Sequence, residues 1–456
     1  MTVAEQLVAW AWSLDDPPAA ACSAAARCLL DGIGTALAAQ RLGAAGPAVA
    51  VATALGGPHE ATILGTRTMV SAPAAALANG ALVHALDYDD THTGALVHAT
   101  AAVLPAALAV GEQVDASGAE VLTAAIAGYE VVARLGAAVR HGFHSRGFHA
   151  TSVCGVFAAA LVSARLLGLD QQQAVAALGI AGSQASGSLE FLSTGASTKQ
   201  LHPGWAGRAG VVAARLAAAG ASGPASIIEG EYGLYRLYAG AAVDSDAVVG
   251  GLGERWEVTA VTIKPYPACQ LSHATLDALA AVRDDVTAEV AWIEVSLPPD
   301  SIPIVAEPAA TKVRPRTPYE AKFSVQWCAA LLLADGAVGV DAFGDDQLAR
   351  ADLATLAERV TVREAAYDGP PAEAPGDVVV ALADGRRLQG HVDRSRGTPG
   401  APLGDTEVRD KFAANCGTAA PAVGELAEQV LALHEVAAVR RLVPAAAAAI
   451  REVEVA

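Results

Sequence analysis

The spacing of the hydrophobic residues changes near residue 256 and separates two kinds of secondary structure. Before that point apolar residues recur every three or four positions, as they do on the buried face of an α-helix. This spacing and the capping residues predict helices at 19–39, 117–139, 170–178 and 207–219. Because the links between them are short, this part of the chain is predicted to be a bundle of antiparallel helices.

After that point several segments alternate between apolar and polar residues, as strands do. The alternation covers Trp256–Ile263 and Val290–Leu297. It also covers 377–383 and 386–392, and the Asp384-Gly385 pair between them is typical of a tight hairpin turn. These segments predict a small sheet that contains a hairpin.

Helical spacing interrupts the strands at 274–283 and 319–333 and returns at 423–434. The chain is therefore predicted to be mainly α, with a large all-α helical domain formed by both chain ends and a smaller α+β domain. The predicted boundaries are 1–262, completed by 396–456, for the helical domain and 263–395 for the α+β domain.

The balance of charges limits the possible partners. The 456 residues carry a formal net charge of −18, and so acidic a surface repels phosphate backbones, which argues against nucleic acid as a partner. An acidic protein that binds an acidic substrate must concentrate its few cations in the site. Lysine is scarce here, and each lysine is either a solvated surface residue or a candidate for the site. The lysines are Lys199, Lys264, Lys312, Lys322 and Lys411.

Cysteine usage and the N-terminal segment bear on location. The six cysteines are scattered and include no Cys-x-x-Cys pair, which is typical of reduced thiols in a cytoplasmic protein. The N-terminal segment has an early Glu5 and lacks the basic start of a signal peptide. No run of about 18 purely apolar residues occurs. We therefore expect a soluble, cytoplasmic protein without a membrane partner.

The segment from His84 to His92, followed by His98, concentrates carboxylates and imidazoles in an otherwise apolar region. One interpretation is acid–base chemistry, because carboxylates can orient imidazoles whose ordinary pKa of about 6.5 suits proton transfer. Another is a polar loop with capping aspartates. A third is the metal site of a metal-dependent hydrolase. Its ligands would be Asp87, Asp89, Asp90, His92 and His98.

A second motif, 147–155, places His149 just before a predicted helix that runs to Leu167. Thr151 or Ser152 is predicted to cap this helix, whose free N–H groups and positive dipole end would suit a carboxylate ligand. The alternative is an ordinary helix cap beside a buried histidine.

Two further motifs each place a lysine just before a helix. They are 197–204, with Lys199 and His202, and 264–273, which starts at Lys264 and has two prolines at the predicted domain boundary. The alternative for each is a stiff loop with a surface lysine. The chain has no Gly-x-Ser-x-Gly elbow, P-loop, His-Glu-x-x-His pair or zinc-type Cys/His spacing.

Taken together and in order, these motifs resemble the MmgE/PrpD family, which includes 2-methylcitrate dehydratase, cis-aconitate decarboxylase and iminodisuccinate epimerase. The matching pieces extend through nearly the whole chain. They are 84–92, 147–151, 197–204, 229–233, 264–269 and 410–412. The resemblance implies a helical domain built from both chain ends, a smaller α+β domain, catalysis without a metal or organic cofactor, and a homodimer.

The resemblance also implies a site and a reaction. The reaction is lyase chemistry of the dehydratase type, 2-methylcitrate dehydratase-like, on a small di- or tricarboxylic acid, or epimerisation (an isomerase reaction) of an iminodisuccinate-like dicarboxylate. Lys199 and Lys264 would face the substrate carboxylates from opposite walls of a cleft. The catalytic residues would be His98, His149, Lys199 and Asp87, with Asp87 orienting one imidazole, and the substrate-binding residues would be Thr91, Lys264, Cys269, His273, Trp327 and His202.

Two positions depart from the decarboxylase branch of this family. Cys269 stands where that branch has a histidine, and Trp327 where it has a tyrosine. These departures argue against cis-aconitate decarboxylation, and they leave a non-catalytic binding protein as a further alternative.

Overall fold

The computed structural model describes residues 1–194, 196–418 and 420–451, and its contacts divide the chain into two units. The helical unit contains residues 1–262 and the described residues from 404 onward, and the smaller unit contains residues 263–403. Helices dominate the first unit, whereas the second combines short helices with a sheet. The predicted mainly α fold is confirmed.

The first 262 residues form successive helices joined by short links. The helices are α1 (Val3–Trp12), α2 (Ala19–Arg41), α3 (Gly46–Leu55), α4 (Ala72–His84), α5 (Ala99–Val114), α6 (Gly118–Ala137), α7 (Gly142–Ser145), α8 (Ala150–Leu166), α9 (Gln171–Gly182), α10 (Phe191–Thr194), α11 (His202–Ala218) and α12 (Asp246–Val249). The two-residue strands are β1 (Ala61–Thr62) paired with β2 (Met69–Val70), and β3 (Thr91–His92) paired with β4 (Val261–Thr262). Ser197–Leu201 and Glu257–Ala260 are 3₁₀-helices, and Tyr235–Ala239 is a π-helix.

Capping boxes explain where several of these helices begin. Ser117 accepts a hydrogen bond from the backbone N–H of Glu120, and the Glu120 carboxylate accepts one from the Ser117 N–H. Asp170 and Gln173 make the same reciprocal pair at the start of α9. Two orphan N–H groups are satisfied in each case, so the predicted helix starts at these positions are confirmed.

Glycines let α4 and α11 pack with their backbones in contact. A Cβ added to Gly204 would lie 2.3 Å from the carbonyl oxygen of Leu77, and one added to Gly80 would lie 2.6 Å from the Gly204 backbone. Any larger residue would push the helices apart. This contact places the end of α4, with His84, close to the start of α11, with His202.

The smaller unit is built around a four-stranded sheet of order β6-β5-β7-β8. Strand β5 is parallel to β6 and antiparallel to β7, and β7 and β8 form the predicted hairpin, with Gly385 at φ +92° in its turn. The strands are β5 (Val290–Leu297), β6 (Val360–Glu364), β7 (Gly376–Leu382) and β8 (Arg387–Val392). The helices are α13 (His273–Ala280), α14 (Ile302–Val305), α15 (Ala309–Lys312), α16 (Pro318–Lys322), α17 (Val325–Asp335), α18 (Asp345–Leu348) and α19 (Ala351–Ala357).

The last helices belong to the helical unit. They are α20 (Asp405–Cys416), α21 (Pro421–Leu431) and α22 (Leu442–Arg451). Phe412 of α20 packs where Gly34 leaves room on α2, since a Cβ at Gly34 would lie 2.8 Å from its ring. The buried Lys411 ammonium pairs with Asp31 at 2.5 Å and donates to the Tyr88 carbonyl oxygen at 3.1 Å. The tail therefore supports the loop that follows α4.

Two local predictions are wrong. The strand predicted for Trp256–Ile263 is a 3₁₀-helix followed by β4, because the Glu257 N–H bonds to the Glu130 carboxylate rather than to a neighbouring strand. The helix predicted for 319–333 is split into α16 and α17 around Ser324, which caps the second helix.

The contacts assign residues 263–403 to the smaller unit, whereas the predicted boundary of that domain is residue 395. Gly397 accepts a hydrogen bond from the Ile263 N–H at 3.0 Å, and the Arg396 guanidinium bonds to Asp277 at 3.0 Å. These bonds hold the start of the connecting segment on the smaller unit. Among the helices of the described residues, none is long and apolar enough to cross a membrane.

Candidate active site

The loop after α4 turns sharply at Asp87, which has a left-handed backbone (φ +54°). Aspartate tolerates this conformation better than most residues. The turn directs the Asp87 carboxylate to the Lys199 ammonium at 2.5 Å, and both side chains are largely buried. Two segments that are 112 residues apart are joined in this way. The structure pairs Asp87 with the lysine, and its predicted role in orienting an imidazole stays a prediction.

Asp89 orients an imidazole. Its Oδ2 accepts a hydrogen bond from His84 Nδ1 at 2.7 Å, and both side chains are fully buried. The same oxygen lies 3.5 Å from His98 Nδ1. A carboxylate only accepts, so the hydrogen bond assigns the proton of His84 to Nδ1, and the neutral ring keeps its lone pair on Nε2.

His98 begins α5 and is fixed by the backbone of the same loop. Its Nδ1 donates to the Asp90 carbonyl oxygen at 2.8 Å, and its N–H donates to Thr151 Oγ1 at 3.0 Å. Thr91 Oγ1 lies 3.5 Å from Nδ1. Because a carbonyl only accepts, the neutral His98 carries its proton on Nδ1, and Nε2 is the basic nitrogen.

His149 begins α8 and forms a buried pair with His202, which begins α11. Their Nδ1 atoms are 3.1 Å apart, so one must donate and the other accept. Burial lowers the pKa of His149 well below its usual range, and His84 and Lys199 lower it further. Burial, with the same two neighbours, lowers the pKa of His202 to about 4. Both rings are therefore neutral near pH 7 when no substrate is bound.

The helix cap predicted at α8 is wrong in detail. His149 is the N-cap, and its side chain makes no capping hydrogen bond. Thr151 Oγ1 accepts from the His98 N–H instead, and Ser152 Oγ donates to the His202 carbonyl oxygen at 3.3 Å. The two hydroxyls therefore join α8 to the segments that carry the other histidines.

These contacts bring three imidazoles into one cluster of the helical unit, which we call the triple-histidine cluster (His84, His98 and His149). The ring centroids are 4.7 Å apart for His84 and His98, 5.6 Å for His84 and His149, and 6.2 Å for His98 and His149. Such spacing allows protons to be moved around one small substrate.

The three histidines of this cluster are also the one group of metal-ligating side chains found within the described residues. The loop residues predicted as metal ligands have other partners. His92 bonds to Glu257 at 3.1 Å, Asp90 to Thr100, and Asp87 to Lys199.

Asp90 connects the loop to α5. Its carboxyl group accepts from the Thr100 N–H at 3.0 Å and from the Thr100 hydroxyl, which also lies 2.5 Å from the Tyr129 hydroxyl. Burial raises the pKa of Asp90 to about 8, although the bonds from Thr100 oppose this shift. A carboxyl group that is protonated at neutral pH adds no negative charge beside the cluster.

Lys199 is the cation nearest to this chemistry among the site residues of the helical unit. It lies on a 3₁₀-helix just before α11. Burial is the main cause of the lowered pKa values of His149, His202 and His144, and the charge of Lys199 lowers them further. Lys199 therefore places an ammonium group beside the histidines.

The remaining predicted site residues lie in the smaller unit. Lys264 and His273 are buried, and His273 Nε2 donates to the Ala268 carbonyl oxygen at 3.0 Å, which closes the turn between them. Cys269 is half-buried and its N–H donates to the Lys322 carbonyl oxygen. Trp327 is only 1% exposed and lies in the core of this unit. The structure thus gives His273 and Trp327 packing roles, and their contact with substrate stays a prediction.

The sequence-based site omitted three residues that the structure places at the cluster. His84 and Asp89 belong to a motif that was singled out, but nothing in their spacing shows which carboxylate meets which imidazole. His144, whose ring centroid is 6.3 Å from that of His149, lies in a segment without any motif. Burial lowers its pKa to about 4.

Comparisons with known proteins agree with this architecture. The MmgE/PrpD N-terminal domain matches residues 5–245, and the MmgE/PrpD C-terminal domain matches residues 266–435. A human cis-aconitate decarboxylase is 30% identical over 75% of this chain and 72% of its own length. A cis-aconitate decarboxylase of Aspergillus terreus is 28% identical over 94% and 93%, respectively. The mouse cis-aconitate decarboxylase is 31% identical over 75% and 71%.

Proposed function

The chain belongs to the MmgE/PrpD family and is an enzyme of the lyase type, and we propose that it transfers a proton at the carbon next to a carboxylate of a small di- or tricarboxylic acid. The reaction proposed first is loss of water from a β-hydroxy acid, 2-methylcitrate dehydratase-like, without a metal or organic cofactor. The observation that carries this proposal is the triple-histidine cluster with Lys199 beside it.

We assign the base to His98. Its Nδ1 proton is held by the Asp90 carbonyl oxygen at 2.8 Å, so the lone pair of the neutral ring is on Nε2. A proton next to a carboxylate is weakly acidic, and its removal spreads negative charge onto the carboxylate oxygens. The Lys199 ammonium stabilises that charge, because its three N–H donors can serve a substrate carboxylate as well as Asp87.

We assign the acid to His149. In the dehydration the C–H bond breaks and its electron pair forms the double bond, while the C–O bond breaks and the hydroxyl leaves as water after it takes a proton from His149. Burial lowers the pKa of His149, which makes its protonated ring a strong acid. A bound polycarboxylate brings negative charge to the cluster and favours that protonated ring.

Decarboxylation of cis-aconitate is the second candidate, because the curated relatives reported above are cis-aconitate decarboxylases. Loss of carbon dioxide leaves a carbanion that needs a proton, so the same acid serves. Cys269 and Trp327 remain the reason to rank it second, since they stand where the decarboxylase branch has a histidine and a tyrosine. Epimerisation of an iminodisuccinate-like dicarboxylate starts with the same deprotonation and is the third candidate.

Product identification separates these reactions. Purified protein, dialysed against a chelator, is incubated with 2-methylcitrate, citrate or cis-aconitate, and the products are identified by NMR while released carbon dioxide is measured. The proposal expects an unsaturated tricarboxylate from a hydroxy acid and no carbon dioxide. Release of carbon dioxide from cis-aconitate would contradict dehydration and support decarboxylation, the second candidate. Binding of these acids without any product would instead support the non-catalytic alternative.

Two expectations concern the protein as a whole. We propose that it works as a homodimer in the cytoplasm, with a small polycarboxylate as its partner. Light scattering of the purified chain checks the dimer, and a single mass near 45.8 kDa would contradict it.

A further inference from the structure

The geometry points to a binding site for a divalent transition-metal ion, Zn²⁺ above all, in the triple-histidine cluster, where the ion would inhibit the enzyme. One ligand nitrogen from each ring lies within 4.8 Å of one from each of the other two. His84 and His149 are buried and His98 is partly buried. This inference goes beyond the proposed function, because metal binding can be measured without turnover.

The hydrogen bonds around the cluster are those that hold metal-binding histidines. His84 Nδ1 donates to the Asp89 carboxylate at 2.7 Å, and His98 Nδ1 donates to the Asp90 carbonyl oxygen at 2.8 Å. Second-shell bonds of this kind fix the ring and leave the opposite nitrogen to the metal. His149 Nδ1 is likewise engaged, by His202 Nδ1 at 3.1 Å.

One buried nitrogen is left without a hydrogen bond. His84 Nε2 has less than 1 Å² of exposed surface and no hydrogen-bond partner in the described residues. A buried polar atom in this condition destabilises the fold unless another group binds it. His84 belongs to the group of three histidines whose ligand atoms lie within 4.8 Å of one another, so a metal ion held by the three rings would satisfy this nitrogen.

The chemistry of the ligands selects the ion. Imidazole suits zinc, cobalt, nickel and copper, whereas magnesium and calcium prefer oxygen. A tetrahedral zinc ion with Zn–N bonds of about 2.0–2.1 Å needs nitrogens about 3.3 Å apart. The present separation, at most 4.8 Å, requires the ligand nitrogens to approach one another by up to about 1.5 Å. The fourth position of the ion would take water or a substrate carboxylate.

Metal binding would stop the proposed reaction. The ion would use the lone pairs that the base and acid need, so turnover would fall as the site fills and return when a chelator removes the ion. The site would thereby make the enzyme sensitive to free zinc.

Cobalt is the probe for binding itself. The full-length protein, treated with a chelator and kept reduced, is titrated with Co²⁺, and the visible absorption bands of a low-symmetry complex are recorded. We expect one ion per chain with bands typical of nitrogen ligands, displaced by Zn²⁺. Absence of the bands, or only the charge-transfer absorption of a thiolate complex, would overturn the proposal.

Variants locate the ion. His84→Gln and His98→Gln are each expected to weaken Co²⁺ binding at least about tenfold, the effect typical of a lost or disturbed ligand. His391→Gln is the matched control, because His391 is an exposed imidazole between Asp377 and Asp393 in the smaller unit. The partly exposed His98 keeps the test valid if His84→Gln does not fold. Unchanged binding in folded His98→Gln, or an equal loss in His391→Gln, would refute the site.

Discussion

Replacement of Asp89 by asparagine tests whether the loop after α4 positions the imidazoles for proton transfer. The Asp89 carboxylate accepts from His84 Nδ1 at 2.7 Å and lies 3.5 Å from His98 Nδ1, and its side chain has no exposed surface. Asparagine has nearly the same shape as aspartate, but it replaces the charged carboxylate that accepts from the His84 ring with a neutral amide. The His84 tautomer and the orientation of both rings would then no longer be fixed.

The expected loss follows from the role of such partners. Removing a group that orients a functional histidine typically lowers activity 10–100-fold, which is about 1.4–2.7 kcal/mol in transition-state free energy. Because Asp89 acts through the imidazoles, we expect kcat to fall 10–100-fold while KM changes by less than about threefold. The pH profile of kcat/KM is expected to move as well, since the protonation of the cluster changes.

Glu257→Gln is the matched control for this experiment. It removes a carboxylate that is bonded to a different histidine, His92, at 3.1 Å, outside the triple-histidine cluster. Steady-state kinetics and thermal unfolding of both variants are compared with the parent protein. Full activity of Asp89→Asn, or an equal loss of kcat in Glu257→Gln, would refute the positioning role. A loss of cooperative unfolding in Asp89→Asn would show a structural role instead.

Three further predictions concern activity and stability. His98→Ala and Lys199→Ala are each expected to lose most of the activity, about 10²-fold or more, while circular dichroism shows folded protein; normal turnover in either contradicts the site. Lys411→Met removes the ammonium that pairs with the buried Asp31 and is expected to lower the free energy of unfolding by about 3–5 kcal/mol in urea titrations. Arg27→Met breaks an exposed pair with Asp405 and is expected to lower it by at most about 1 kcal/mol. The pKa of Asp90 is raised to about 8 in the folded state, whereas the unfolded chain releases this proton above about pH 4. The folded state therefore binds one more proton than the unfolded state between these pH values. As a result, the free energy of unfolding falls as pH rises from about 4 to about 8, by up to about 1.4 kcal/mol per pH unit. Asp90→Asn is expected to flatten that part of the stability profile, and an identical profile in both proteins would show that Asp90 is ionised.

Much of the fold could be predicted from local signals. The capping boxes at Ser117 and Asp170 and the Asp-Gly turn of the hairpin act within a few residues, so their consequences can be read directly. The alternation at Trp256–Ile263 misleads because Glu257 finds a distant partner, Glu130, that no local pattern shows. Long-range hydrogen bonds override local preference at this point.

The candidate site could be predicted only in part, because its geometry depends on contacts between distant segments. The motifs identify His98, His149 and Lys199 as residue types suited to acid–base chemistry. They do not show that Asp87 pairs with Lys199 while Asp89 orients His84, since adjacent carboxylates look alike in the sequence. The close approach of α4 and α11, through Gly80 and Gly204, likewise comes from packing alone.

Exchange of a carbon-bound proton tests the central claim most directly. The purified protein is incubated in D₂O with 2-methylcitrate or cis-aconitate, and deuterium next to the carboxylates is measured by NMR over time. We predict that the parent protein incorporates deuterium and that His98→Ala does so at least about 100-fold more slowly. No incorporation by the parent protein, or equal rates in both proteins, would contradict proton transfer by the triple-histidine cluster.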